Sequence, residues 1–375
     1  MTDLSELYQI DTYIDTFALG HYARVFEAFD RRKQRQVAFK IMRNEHLSPD
    51  GDIRWEFRAF PNEAELLTKL ADNPHVINLL DCGYVAAYDE VPNEGEMVSF
   101  GTDVGGFARA MLDYAERNWR PYLCLPVLPR TGSLFYLMKP NQQATRWRLP
   151  TEEGLALAVQ FAQLLQMAHS QSIVYLDHKL EHVYWDGKQL MVIDFNSSRQ
   201  LGSRTGASDR QQYRMDIHNL CVGVLYPIFT GLSPLKGALM PQPSSLSQVE
   251  TRYRDVTTLD FGVEPSLSPA LQRLLQRGAA VEIESIEDFI TQLQEVCAQN
   301  GWDFPQHQTN AASRGARDQM RQGLQLLREG QVSIREARDL FREAAILDDI
   351  SEDLEDELRR LVAAVNDMLN HRVIP

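Results

Sequence analysis

The stretch Ile173–Asn196, IVYLDHKLEHVYWDGKQLMVIDFN, sets Asp177, Lys179 and Asp194 among short apolar pieces. Val183–Trp185 and Leu190–Ile193 read as brief strands, so the charged residues fall in the turns beside them. Charged groups gathered at one cleft are costly unless they have a ligand to hold. The chain therefore has to fold so that a polar cleft opens beside apolar layers.

The order of elements predicts how that is done. Ile14–Leu19, Ala23–Asp30 and Gln36–Ile41 read as strands, separated by Gly20-His21 and the charged turn Asp30–Arg35. Pro61–Leu70 has helical spacing at Ala64, Leu66, Leu67 and Leu70, and ends near Asn73-Pro74. Val76–Val85 returns to strand character. Residues 86–120 read as an insertion, loosened by Pro92, Asn93, Gly95 and Gly105-Gly106, with a helix expected over Phe107–Arg117. Tyr122–Leu128 is a strand, and Glu152–Ser170 an amphipathic helix. Asp216–Thr230 reads as a buried helix, and Leu267–Arg277 and Ser285–Gln299 as amphipathic ones. Strands gathered early and helices gathered late give an α+β layout in two lobes.

A chain of 375 residues is too long for one ordinary core. Its net charge of −14 argues against a nucleic-acid partner, which requires a basic face. It does not exclude a triphosphate, because a local lysine and a bound metal can hold one inside an acidic protein. No apolar run approaches the ~20 residues of a bilayer span, so no membrane partner is expected. Cys82, Cys124, Cys221 and Cys297 form neither a CxxC pair nor a dense framework, and the acidic N-terminus lacks a signal-peptide pattern. The expected location is the reducing cytoplasm.

Several strings occur in a recognisable order. Val37-Ala38-Phe39-Lys40 is a strand that presents a lysine, and Glu63 follows in the helical context NEAELLTKLADNPHVINLLD. The Asp177, Lys179 and Asp194 set comes next, then Asp216-Ile217-His218-Asn219-Leu220 and GVLYPIFTGLSPL at Gly223–Leu235. Over residues 8–298 the chain resembles the bacterial serine/threonine protein kinase family. The resemblance implies a β-rich N-lobe over 8–128 and a helical C-lobe over 129–298. It implies ATP with Mg²⁺ or Mn²⁺, and a role for each matching residue. Lys40 would meet the phosphates and Glu63 would hold Lys40, while Gly20, Val25, Ala38 and Val127 would border the nucleotide. Asp177 would orient the acceptor hydroxyl or take its proton, Lys179 would offset charge on the moving phosphate, and Asp194 would bind metal.

The departures from that pattern are equally specific. In Ala18-Leu19-Gly20-His21-Tyr22-Ala23 only Gly20 remains of the loop's glycines, which implies weaker clamping of phosphate. Tyr175-Leu176-Asp177 lacks the arginine that usually answers a phosphorylated activation loop. His182 stands where the family has a metal-binding asparagine. Imidazole there either loses one metal site, moves the preference toward manganese, or is a hydrogen-bonded loop residue with no ligand role. Asn196 replaces a glycine and can keep the turn, since asparagine tolerates positive φ. The segment between Asp194 and Asp216 is short for a peptide platform.

Residues 303–317 read as a linker and 318–375 as a helical extension. Gly323, Leu326, Gly330, Ala337, Phe341 and Ala344 resemble one tetratricopeptide unit, which is either a cap on the C-lobe or a dock for a protein partner or a second copy. The expected function is phosphoryl transfer from ATP to a protein hydroxyl in signalling. The alternatives are a pseudokinase scaffold and a small-molecule kinase.

Overall fold

Alternating residues in the N-terminal half build one antiparallel sheet. The computed structural model describes residues 2–14, 22–48, 53–138, 148–202, 207–235, 249, 251–262, 264, 267–299, 315, 319, 322–323, 334–347 and 350–371. The strands are β1 (Thr2–Asp3), β2 (Tyr8–Tyr13), β3 (Ala23–Asp30), β4 (Arg35–Met42), β5 (Asp81–Val85), β6 (Glu96–Gly101) and β7 (Arg120–Pro126). Their spatial order is β1-β6-β5-β7-β4-β3-β2. In register, Val25 lies opposite Lys40, Lys40 opposite Leu123, and Ala38 opposite Leu125. The two-residue period therefore puts Val25, Ala38, Lys40 and Leu125 on one face. The other face carries Phe26, Val37, Phe39, Ile41 and Tyr122, which close a separate apolar core with Tyr8. Each such fully buried side chain contributes roughly 1.5–3 kcal/mol. Phe39 stacks on Tyr122 with ring centroids 4.9 Å apart.

Two expectations for this lobe change, and a third lies almost wholly outside the described residues. The strand expected over Ile14–Leu19 lies outside the described residues except for Ile14, which follows β2. The helix expected from Pro61 begins two turns earlier. Residues Trp55–Lys69 form one helix, preceded in the chain by a short α1 (Leu4–Leu7), and we label it α2. Proline favours a first helical turn, which is why the sequence suggests a start there. Burial of Phe57, Ala59, Phe60 and Pro61 itself offsets the hydrogen bond that Pro61 cannot donate. Residues 86–120 are also more than an insertion. They supply β6 to the sheet, then α3 (Val104–Arg109) and α4 (Met111–Glu116), which pack on α2 around Phe107 and Trp119.

The second lobe is helical. After α5 (Leu134–Leu137), α6 (Thr151–Ser170) is buried along most of its circumference, as a central helix must be. Two small ribbons carry the turns of the candidate site: β8 (Ile173–Val174) pairs with β11 (Arg199–Gln200), and β9 (Val183–Trp185) with β10 (Leu190–Val192). Helix α7 runs Ala207–Leu220, continues through a π-helical turn at Cys221–Leu225, and passes into α8 (Tyr226–Thr230). The helix expected at Asp216 thus starts at Ala207, within the short segment that follows Asp194. Helices α9 (Pro269–Ala279) and α10 (Ile286–Gln299) complete the lobe.

Helices α11 (Ile334–Ala345) and α12 (Glu352–His371) pair through Ala337, Phe341, Ala344, Leu354 and Leu358. Most of the linker expected over 303–317 lies outside the described residues, as do Leu326 and Gly330. All four cysteines are free and buried. Among the described residues no helix is long and apolar enough to cross a membrane.

Candidate functional site

Strand β4 and helix α2 bring Lys40 and Glu63 together beneath the sheet. Lys40 Nζ lies 2.7 Å from Glu63 Oε2 and 2.9 Å from Asp194 Oδ1. Glu63 is fully buried, and its other oxygen accepts the Phe195 backbone N–H at 3.3 Å. One lysine thus ties strand, helix and the turn after β10. Burial disfavours the charged ammonium, but the Asp194 and Glu63 carboxylates outweigh it and hold Lys40 well above its ordinary pKa. Asp194 is held well below the usual carboxylate range. Burial pushes it up, while Lys40 and His182 pull it further down.

The turn that presents Asp177 is clamped from below. Asp216, at the heart of α7, accepts the backbone N–H groups of Tyr175 at 3.0 Å and Leu176 at 2.7 Å, and lies 2.9 Å from His169 Nε2. Asn219 Nδ2 donates to the Leu176 carbonyl at 2.9 Å. These bonds hold Leu176 at φ 67°, a conformation that costs a branched residue about 1–3 kcal/mol. Burial raises the Asp216 carboxyl, but the His169 hydrogen bond, the nearby histidines and the Leu176 N–H hold it below its ordinary value.

Asp177 is ringed by cations. Its Oδ2 lies 3.4 Å from Lys179 Nζ and 3.6 Å from His182 Nδ1, and its Oδ1 is 2.8 Å from Arg252 Nη1. Burial raises its pKa, yet Lys179, His182 and Arg252 together bring it below the ordinary value. His182 Nε2 lies 3.1 Å from Asp194 Oδ2, so the two residues expected to bind metal meet each other. The Tyr175 hydroxyl donates to the Ile193 carbonyl at 2.8 Å and sits 3.3 Å from His182 Nδ1.

Of the residues expected to border a nucleotide, Val25, Ala38 and Val127 pack against the core between the lobes. Gly20 lies outside the described residues. Asn196 differs from expectation, because the positive φ of this turn falls on Asp194, at 63°. Asn196 instead donates its Nδ2 to the Tyr22 hydroxyl. The Tyr22 ring lies 5.5 Å from Lys40 Nζ, so the face of this tyrosine lies over the lysine. Sequence reasoning missed Tyr22 and Arg252. Tyr22 stands beside the glycine-poor loop, where its position was a usable signal. Arg252 lies in a polar stretch with no periodicity and offered none.

A lysine bridged to two carboxylates under a sheet, above a clamped aspartate in a helical lobe, defines a kinase-like two-lobed fold. The protein kinase domain family matches residues 16–217, more than half of the chain, and the chain belongs to that family. It is similar to a protein of Clostridium perfringens (strain 13 / Type A) named as a probable serine/threonine-protein kinase. The two are 20% identical over 296 residues, which cover 74% of this chain and 37% of that relative. The chain thus spans little more than a third of that relative's length.

Proposed function

We propose that this chain transfers the γ-phosphoryl group of ATP to a serine or threonine hydroxyl of a protein. The observation that most supports this reading is the Lys40 bridge to Glu63 and Asp194, which aligns the lobes in the arrangement such transfer needs. Lys40 holds phosphate oxygens, and Glu63 fixes its ammonium. A divalent ion fits the donor set. Magnesium commonly takes only one or two protein carboxylates and leaves its other positions to phosphate and water. Asp194, with its side chain 24% exposed, is such a ligand. When bound, the ion neutralises charge on the phosphates. His182 hydrogen-bonds Asp194 here, so it either tunes that carboxylate or enters the metal's coordination.

Asp177 faces the acceptor hydroxyl. Its lowered pKa makes it a weak base at neutral pH, so it orients the hydroxyl and receives the proton late, as the new P–O bond forms and the bond to ADP breaks. Lys179 offsets charge on the transferring group.

The first test is thermal. Nucleotide at ~100 times its dissociation constant, with Mg²⁺ or Mn²⁺, should stabilise the fold by ~2.7 kcal/mol. The second is transfer of labelled γ-phosphate, which Asp177→Asn should lower ~10²–10⁴-fold and Asp194→Ala should abolish. Activity unchanged in both variants would refute the assignment. The cations that surround Asp177 favour a second reading, a nucleotide-binding scaffold without transfer. A melting shift with no transfer in either metal would establish it.

A further inference from the structure

We propose that Arg252 selects the acceptor, admitting serine or threonine hydroxyls flanked by carboxylates and disfavouring basic peptides. The inference rests on the kinase reading above. Arg252 Nη1 stands 2.8 Å from Asp177 Oδ1, with the arginine side chain only 10% exposed. The other carboxylate oxygen already faces Lys179 and His182. An acceptor hydroxyl that reaches Asp177 must therefore share or take the position held by the guanidinium. A displaced guanidinium in so enclosed a place is not rehydrated, and it needs another anion.

Arg252 is aimed by a braced segment. Its backbone N–H donates to the Val249 carbonyl at 3.2 Å, and Val249 is buried. The Tyr253 carbonyl lies 3.0 Å from His218 Nε2. The Tyr253 ring presses on Gly223, where a Cβ atom would come within 2.6 Å of the ring and 2.4 Å of the His178 carbonyl oxygen. The arginine is thus held at the carboxylate from its own backbone upward.

The charges nearby are balanced. Arg252 and Lys179 meet Asp177 and Glu181, so among the described residues these two carboxylates are already matched by cations. A glutamate or aspartate beside the acceptor offers Arg252 a replacement partner, and the planar guanidinium suits a carboxylate in two-point contact. The acidic flank then frees Asp177 for the hydroxyl.

The test uses the full chain, labelled ATP and two degenerate serine/threonine peptide libraries that differ only in flanking positions fixed as Glu or as Lys. Wild type should label the Glu library about tenfold or more above the Lys library, since like-charge contacts are strongly disfavoured. Arg252→Gln should bring that ratio toward one, and Arg252→Lys, which keeps the charge and loses the fork, should fall between. The nucleotide melting shift is measured on the same preparations and should be equal in all of them. A shift with equal labelling of the libraries, or a preference that survives Arg252→Gln, overturns the acceptor assignment alone, whereas a shift with labelling of neither library in either metal establishes the scaffold reading and removes this inference with it. Absence of any shift overturns the kinase reading and this inference with it. If the glutamine variant does not fold, the wild-type ratio and Arg252→Lys decide.

Discussion

His182 stands between the two carboxylates of the candidate site. Its Nε2 contacts Asp194 while its Nδ1 faces Asp177, so the imidazole links the metal-side carboxylate to the hydroxyl-side one. Replacing it with asparagine removes a nitrogen donor from Asp194 Oδ2 and leaves that oxygen available to a hard cation. His182→Asn should therefore tighten magnesium-dependent nucleotide binding by on the order of 10-fold and raise magnesium-supported transfer relative to manganese. Titrating the nucleotide melting shift with each metal measures this, and unchanged curves would take His182 out of the metal argument. At this scale the sequence was informative where chemistry keeps fixed spacing. Lys40, Glu63, Asp177, Lys179 and Asp194 were all legible, and the structure brings them together. Arg252 was not, because its role comes from contacts with residues distant in the chain and no local pattern encodes it, and Tyr22 was signalled only by its place beside the glycine-poor loop.

Among the elements, the continuous run from α7 through the π-helical turn to α8 does the most to place the site. Its first part carries Asp216 and Asn219 against the Tyr175–Asp177 turn. The turn itself, at Gly223, lets the helix touch both the His178 carbonyl and the Tyr253 ring. Gly223→Ala should thus cost about 1–3 kcal/mol, as overpacking in a filled core does, and should loosen the segment that carries Arg252. Urea unfolding measures the first effect. A variant as stable as wild type would mean the neighbours yield. The strong periodicities of β3, β4, α6 and α10 were read nearly to their ends. Other boundaries were misjudged for identifiable reasons. Pro61 is accommodated within a helix because its surroundings are apolar, and α7 begins early although its first turns show little amphipathic pattern.

At the scale of the whole molecule, the helical extension lies against the C-lobe through a buried polar joint. Arg148 reaches Glu264 at 2.8 Å and Glu357 of α12 at 3.1 Å, Arg360 pairs with Glu264, and the Ser351 hydroxyl donates to Glu152 at 3.3 Å. These contacts seat α12 against the C-lobe. Burial pushes Glu357 up to about 7, with Glu153 and Asp353 adding to the shift and Arg148 opposing it. The same group in an undocked, solvated helix titrates near the ordinary value of 4.5. Between those values the docked form binds the extra proton. Its stability therefore falls as pH rises toward 7, by at most about 1.4 kcal/mol per unit, and levels off above it. Asp353, also raised by burial, acts in the same direction. Amide exchange in α12, corrected for the intrinsic rate, should show protection that weakens from pH 5 to about 7. Glu357→Gln keeps an acceptor for Arg148 without the charge, so it should hold protection nearly level across that range. Protection that strengthens with pH in wild type, or an equal slope in the glutamine variant, would show that this joint does not govern docking.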